Sequence, residues 1–242
     1  SDLMLGNVVN SYLMLQFGLY TMHHDIFEMP DGAFLSLSTE VREVGGYPSE
    51  GGGAVSYNVV GDVLFEFSRD ARIREQWSMF DYLDPHRVRP GFFDETFWNL
   101  PYFFIQGPKD WTHANSAVYD ASDDSMILSL RNQDWLVKID RETDELLWRF
   151  GEEGDFLLEG SGEWPYHQHS PKLLPGGNIL LYDNGNGRPT LEEGEAPYSR
   201  VVEYALDTER MTARQVWEHR GEEPYFSAFL GDVDRLENGN IL

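Results

Sequence analysis

Apolar residues along this chain come in short runs, each entered through a polar turn rich in Gly, Asn or Asp. MPDGAFLSL (29–37), YDASDDSMILSL (119–130), LLPGGNILLY (173–182) and LENGNIL (236–242) share that form. A second pattern follows the first: an alternating segment, a charged hairpin and a segment ending in Trp. WLVKIDRETDELLWRF (135–150) and RVVEYALDTERMTARQVWEH (200–219) show it clearly, and DVLFEFSRDARIREQWSMF (62–80) more loosely. Runs this short, with period-two alternation and turn residues at both ends, predict β-strands. They fall near 29–37, 62–67, 119–130, 135–140, 145–150, 173–182, 200–206 and 213–219. Val137 and Ile139, alternating with Lys138 and Asp140, predict a strand with one face buried. Long helical patterning is almost absent.

The repeats carry the architecture. Gly32, Asp124, Gly177 and Gly239 stand 92, 53 and 62 residues apart, and the two shorter intervals suit a four-stranded propeller blade. The fold class predicted is therefore all-β, a propeller of four-stranded antiparallel blades, of which residues 1–242 cover about three to four within a single domain incomplete at its C-terminal end. The longer first interval holds extra chain. GGYPSEGGGAVSYN (45–58) reads as a flexible loop, and 84–109, opening DPHRVRPGFFDETFWNLPYF, as a Pro- and aromatic-rich inserted loop region over the propeller face. Its aromatics either shape a pocket or cover a blade edge.

Composition narrows the partners. Acidic residues number 42 against 18 basic, a formal net charge of -24, which argues against nucleic acid or an anionic membrane as the main partner. With no cysteine, disulfides, thiolate metal sites and thiol nucleophiles are excluded. The opening SDLMLGNVVNSYLMLQFGLY has no basic leader or cleavage pattern, so neither a signal peptide nor a membrane span is visible.

Against that acidic background, HQHSPKLLPGGNILLYDNGNGR (167–188) gathers two histidines and an arginine around one strand. Together with DWTHANS (110–116), it closely resembles the arylsulfotransferase family, densely from about 110 to 242 and more loosely over HHDIFEMPDGAFLSL and GDVLFEF. The resemblance implies a six-bladed propeller with its site in the central channel. It also implies transfer of a sulfuryl group from an aryl sulfate to a phenol through a sulfohistidine, without a nucleotide donor or other cofactor, in the periplasm or outside the cell. Carried over by motif, His113, His169 and Arg188 are the sulfate-binding and transition-state residues. Both histidines precede turn strands, which lets them converge at the axis, and a guanidinium offers a fork of donors to an oxyanion.

Other residues have two readings. Asn115, Asn184 and His167 are candidate substrate-binding groups, the asparagines equally turn caps. His167 and His169, two apart in a strand, would share a face and with His113 could hold Zn or Cu, although no carboxylate stands at a telling spacing; the preferred reading has no metal. Adjacent His23 and His24 would face opposite sides, one of them marking a channel position. Asp120, Asp123 and Asp124 read as a solvated hairpin, and the Trp residues of ELLW and QVW as blade packing. The family's nucleophilic histidine falls near or beyond Leu242; His219, in VWEHRG, is the only histidine after Arg188 and reads first as an outer-strand residue. Two further functions fit a propeller: a non-catalytic scaffold, and a pyrroloquinoline-quinone-like or metal-dependent oxidoreductase.

Overall fold

The computed structural model describes residues 14–89, 91–94, 96–191, 193–222 and 225–242. Much of the N-terminal segment in which a leader was sought, residues 1–13, lies outside that set.

Three antiparallel sheets follow one another along the chain. The first has β1 (His23–Glu28), β2 (Phe34–Pro48), β3 (Ala54–Phe67) and β4 (Ile73–Ser78) in sequence order, and the short β5 (Lys109–Asp110) joins β3 in parallel. The second is β6 (Ala114–Asp120), β7 (Ser125–Leu130), β8 (Trp135–Asp140) and β9 (Leu146–Phe150). The third orders β11 (His169–Leu173), β12 (Ile179–Asp183), β13 (Arg200–Asp207) and β14 (Thr212–His219), with β10 (Leu157–Leu158) on its outer edge. The fold is all-β, as the repeats predicted, and the sheets stack as consecutive propeller blades. The fourth repeat forms a turn closed by a bridge between Arg235 and Ile241.

Blade stacking explains the hydrophobic pattern. Met126 and Leu128 of β7, with Val137 and Ile139 of β8, pack against Leu35, Leu37, Leu64 and Trp77 of the first blade. Ile127 and Leu136, on the alternate positions of the same two strands, turn the other way, toward Ile179, Leu181, Val202 and Tyr204 of the third. The middle blade is therefore buried on both faces. This corrects the half-buried reading of 135–140, where even Lys138 is only 7% exposed. Its ammonium is held by Asp120 and Asp123, each at 2.7 Å, so those two carboxylates clamp a lysine and are not merely solvated.

Two more expectations change. The segment 45–58 is not a loose loop: β2 and β3 stay paired out to Pro48 and Ala54, and Tyr47 stacks on Tyr57 and Phe93 at ring distances of 5.3 and 5.2 Å. Of the two tryptophans assigned to packing, Trp148 is in the core, whereas Trp217 is 38% exposed because its strand lies toward the outside of the sheet.

The strands nearest one another at the axis are β1, β6 and β11, the first of each blade. Polar bonds tie them together. Asp25 accepts from Ser116 Oγ at 3.0 Å and from the Ala117 amide at 3.2 Å, and Asn115 Nδ2 donates to the Gln168 carbonyl at 2.8 Å. Each strand breaks register just after its first pair, between His23 and Ile26, Ala114 and Ser116, and His169 and Lys172. A bulge at a strand's entrance re-aims the side chains there, and the histidines stand at these three entrances.

Candidate active site

The site is built at the entrances of the three inner strands. His113 sits immediately before β6 in a left-handed conformation (φ 48°), which tilts its ring out of the strand's alternation. His24 is also left-handed (φ 56°), and that twist brings its Nδ1 to 2.8 Å from His23 Nδ1, so the two neighbours do not face opposite sides as alternation predicted. The His24 and His113 rings lie edge to face with centroids 5.5 Å apart. His169, the first residue of β11, is near enough to His113 and His24 for their charges to be felt.

His113 and His169 are prepared in opposite ways. Burial drives the His113 pKa down, but the Asp110 carboxylate, 2.5 Å from Nδ1, outweighs it, and the net direction is up. This ring tends toward imidazolium. Burial dominates at His169 and lowers its pKa to about 4, helped by the charges of Arg131 and His113. Its tautomer follows from its neighbours. Asn184 Nδ2 donates to the carbonyls of Ser227 (2.9 Å) and Leu230 (2.8 Å), so Oδ1 is the atom facing His169 Nδ1 at 2.7 Å. Nδ1 therefore carries the proton, and Nε2 keeps its lone pair.

Arg188 is placed differently. Its side chain is fully buried, with Nη2 2.8 Å from Asp183 and Nη1 3.2 Å from Glu163, and its guanidinium lies 4.5 Å over the Tyr198 ring. Asp183 also takes Arg200 Nε at 2.7 Å. No contact between Arg188 and either histidine is found among the described residues. The cation beside the two histidines is Arg131, which follows β7 and acts electrostatically on both.

The remaining candidates are turned into the protein. Asn184 uses both ends of its amide, and Asn115 is a strut between blades. His167 precedes β11 with φ 57°, its Nδ1 2.9 Å from Asp134 and its ring 3.8 Å from Phe92. Because the strand begins only at His169, the two histidines part and do not share a face. Among the described residues, no group of three or more His, Asp or Glu is placed to hold a metal. His219 pairs with Val201, which lies in the same row as Tyr182 and His169, so it stands three strands out, roughly 14 Å at ordinary strand spacing. It is exposed and stacked on Trp217.

The sequence singled out neither Asp110, Arg131 nor Phe97, and it left open which of His23 and His24 marks a channel position. Asp110 was in view, as the first residue of DWTHANS, but nothing local says that a carboxylate three residues before a histidine will bond to it. Phe97 belongs to the 84–109 region; it lies 4.8 Å from His113 and 6.2 Å from His24, half exposed, as one wall over the cluster.

The sequence profile of the arylsulfotransferase (ASST) family matches residues 2–242. This chain belongs to the arylsulfotransferase family. Among its relatives is the arylsulfate sulfotransferase AssT of Escherichia coli, 28% identical over 271 residues, spanning 92% of this chain and 44% of that protein. The arylsulfate sulfotransferase AssT of Lelliottia amnigena is 25% identical over 276 residues, with the same two shares. The chain thus spans less than half the length of these relatives.

Proposed function

We propose that the protein containing this chain moves a sulfuryl group from an aryl sulfate to a phenol, and that His113 and His169 hold the group in flight. The observation that carries this reading is their opposite preparation at one place: an imidazolium-prone ring that donates, and a neutral ring with a free Nε2 that accepts. Sulfuryl transfer resembles loose phosphoryl transfer, in which charge gathers on the leaving oxygen and positioned donors do most of the stabilising. Arg131 adds positive potential beside the two rings. Arg188, by this reading, shapes the wall through Asp183 and Tyr198, and reaches the sulfuryl oxygens only if Glu163 releases it.

The covalent step uses a histidine nitrogen as acceptor, giving a sulfohistidine and ping-pong kinetics. His219 is too far out to serve, so the expected nucleophile is a histidine beyond Leu242. Aryl sulfate and phenol are the small-molecule partners, and the expected compartment is the periplasm or the cell exterior. Among the described residues no helix is long and apolar enough to cross a membrane.

The test is transfer from 4-nitrophenyl sulfate to an added phenol by the intact protein, with no metal or quinone supplied. His113→Ala is expected to lower kcat by about 100-fold or more, the usual cost of removing a positioned transition-state donor, and His169→Ala by about 100-fold or more through loss of a positioned proton acceptor. Absence of transfer by the unaltered protein, across several phenols, would sink the reading.

A further inference from the structure

Asp110 is wholly buried and pinned on every side. Its backbone pairs with Val60, its amide donates to the Phe93 carbonyl at 3.1 Å, and its carbonyl accepts Asn132 Nδ2 at 3.1 Å. One carboxylate oxygen accepts Trp98 Nε1 at 3.0 Å and the other meets His113 Nδ1 at 2.5 Å. A carboxylate fixed in this way has little freedom except to hold the imidazole.

We propose that Asp110 is a positioning residue for the transfer: it grips His113 by Nδ1 and aims the ring's Nε2–H at the oxygen that joins sulfur to the aryl ring. This rests on the sulfotransfer reading above. As the S–O bond breaks, its electron pair stays on the phenol oxygen, which takes the Nε2 proton. The lone pair of the accepting histidine nitrogen forms the new N–S bond. Asp110 keeps hold of the Nδ1 proton and gains none, and His113 is left neutral, ready to take the proton of the incoming phenol in the second half-reaction.

The charged groups around His113 come from every neighbouring element: Asp62 on β3, Arg131 after β7, His24 on β1 and His169 on β11. Arg131 and burial push the ring toward neutrality, and Asp62 toward charge, but less strongly than Asp110. Removing the Asp110 charge while keeping its shape should therefore reverse the balance.

The experiment compares Asp110→Asn with Trp98→Phe in the intact protein. In Asp110→Asn the His113 titration, followed by 15N-histidine NMR, is expected to fall by about 1 to 3 pH units. The high-pH limb of kcat should move down with it. The kcat loss should be at least about 10-fold larger for phenyl sulfate, a poor leaving group, than for 4-nitrophenyl sulfate, which needs little protonation. Trp98→Phe keeps the carboxylate and should lose far less. An equal loss on both donors, an unmoved titration, or a Trp98→Phe variant as impaired as Asp110→Asn would reduce Asp110 to a structural clip and overturn the proposal. If Asp110→Asn does not fold, Asp110→Glu, which keeps the charge but displaces it, should retain the raised titration with reduced turnover; full turnover there overturns it as well. An inactive unaltered protein defeats the sulfotransfer reading itself, whereas an active one indifferent to Asp110→Asn defeats only this inference.

Discussion

Asn184 accepts the Nδ1 proton of His169 at 2.7 Å, and it has no rotational freedom left, because its own amide is spent on two carbonyls of the segment that follows the third blade. The orientation of the ring's Nε2 lone pair depends on that contact, whereas its low pKa comes from burial, which outweighs the opposing pull of the Asn184 bond. Asn184→Asp should place a carboxylate where the amide oxygen stands and raise the His169 pKa by about 1 to 3 units. Turnover should fall at mildly acidic pH, where the neutral ring is lost. Histidine NMR titration in the variant checks this, and an unchanged midpoint would contradict the assigned tautomer.

Stability should depend on acid in two windows. His169 has a folded-state pKa of about 4, below its unfolded value of about 6.5, so the unfolded chain binds this proton first. The penalty is absent above pH 6.5 or so and grows as pH falls toward 4, to at most about 3 kcal/mol. His169→Gln should flatten that part of the curve of Tm against pH. Asp62 and Asp134 are burdened by burial but held low by His23 and by His167 with Arg89, respectively. Their contribution is present above the ordinary carboxylate range and is lost only as pH falls further, through their depressed values.

Arg188→Ala should cost stability before it costs chemistry. The variant leaves Asp183 with Arg200 and the Tyr166 amide, so the carboxylate is not orphaned. A loss of about 1 to 3 kcal/mol in urea unfolding is expected, less than that for a carboxylate stripped of every partner. A variant as stable as the parent, yet inactive, would return Arg188 to the sulfuryl group.

Gly185 in DNGNG has φ 79°, and a Cβ there would meet the Tyr198 carbonyl at 2.3 Å and Arg188 Nη2 at 2.8 Å. Gly185→Ala combines left-handed strain with a backbone clash and should destabilise by at least about 2 kcal/mol. Thermal unfolding measures it. An unaffected Tm would mean that the turn yields without cost.

The repeats alone determined the all-β class, the blade order and most positions of the outer three strands of each blade, since period-two patterning and Gly/Asn/Asp turns are local properties; the innermost strands β1, β6 and β11 were not among the predicted ranges. Residues 135–140 were placed to the residue. The sequence also picked out His113 and His169, because their motifs are restrictive and both precede turn strands. What it left undecided depends on neighbours distant in the chain. Lys138 looked solvent-facing until the stacking of blades on both sides buried it against Asp120 and Asp123. His23 and His24 were set apart by alternation, and only a left-handed residue at a bulge brings them together. The charge preference of each catalytic candidate is likewise tertiary: His113 and His169 are the same side chain, and the difference lies in whether a carboxylate or an amide oxygen meets Nδ1 inside the protein. Arg188 shows the same principle in reverse, for a cation's role depends on which carboxylates reach it first, and Asp183 and Glu163 are brought there by the fold of the third blade.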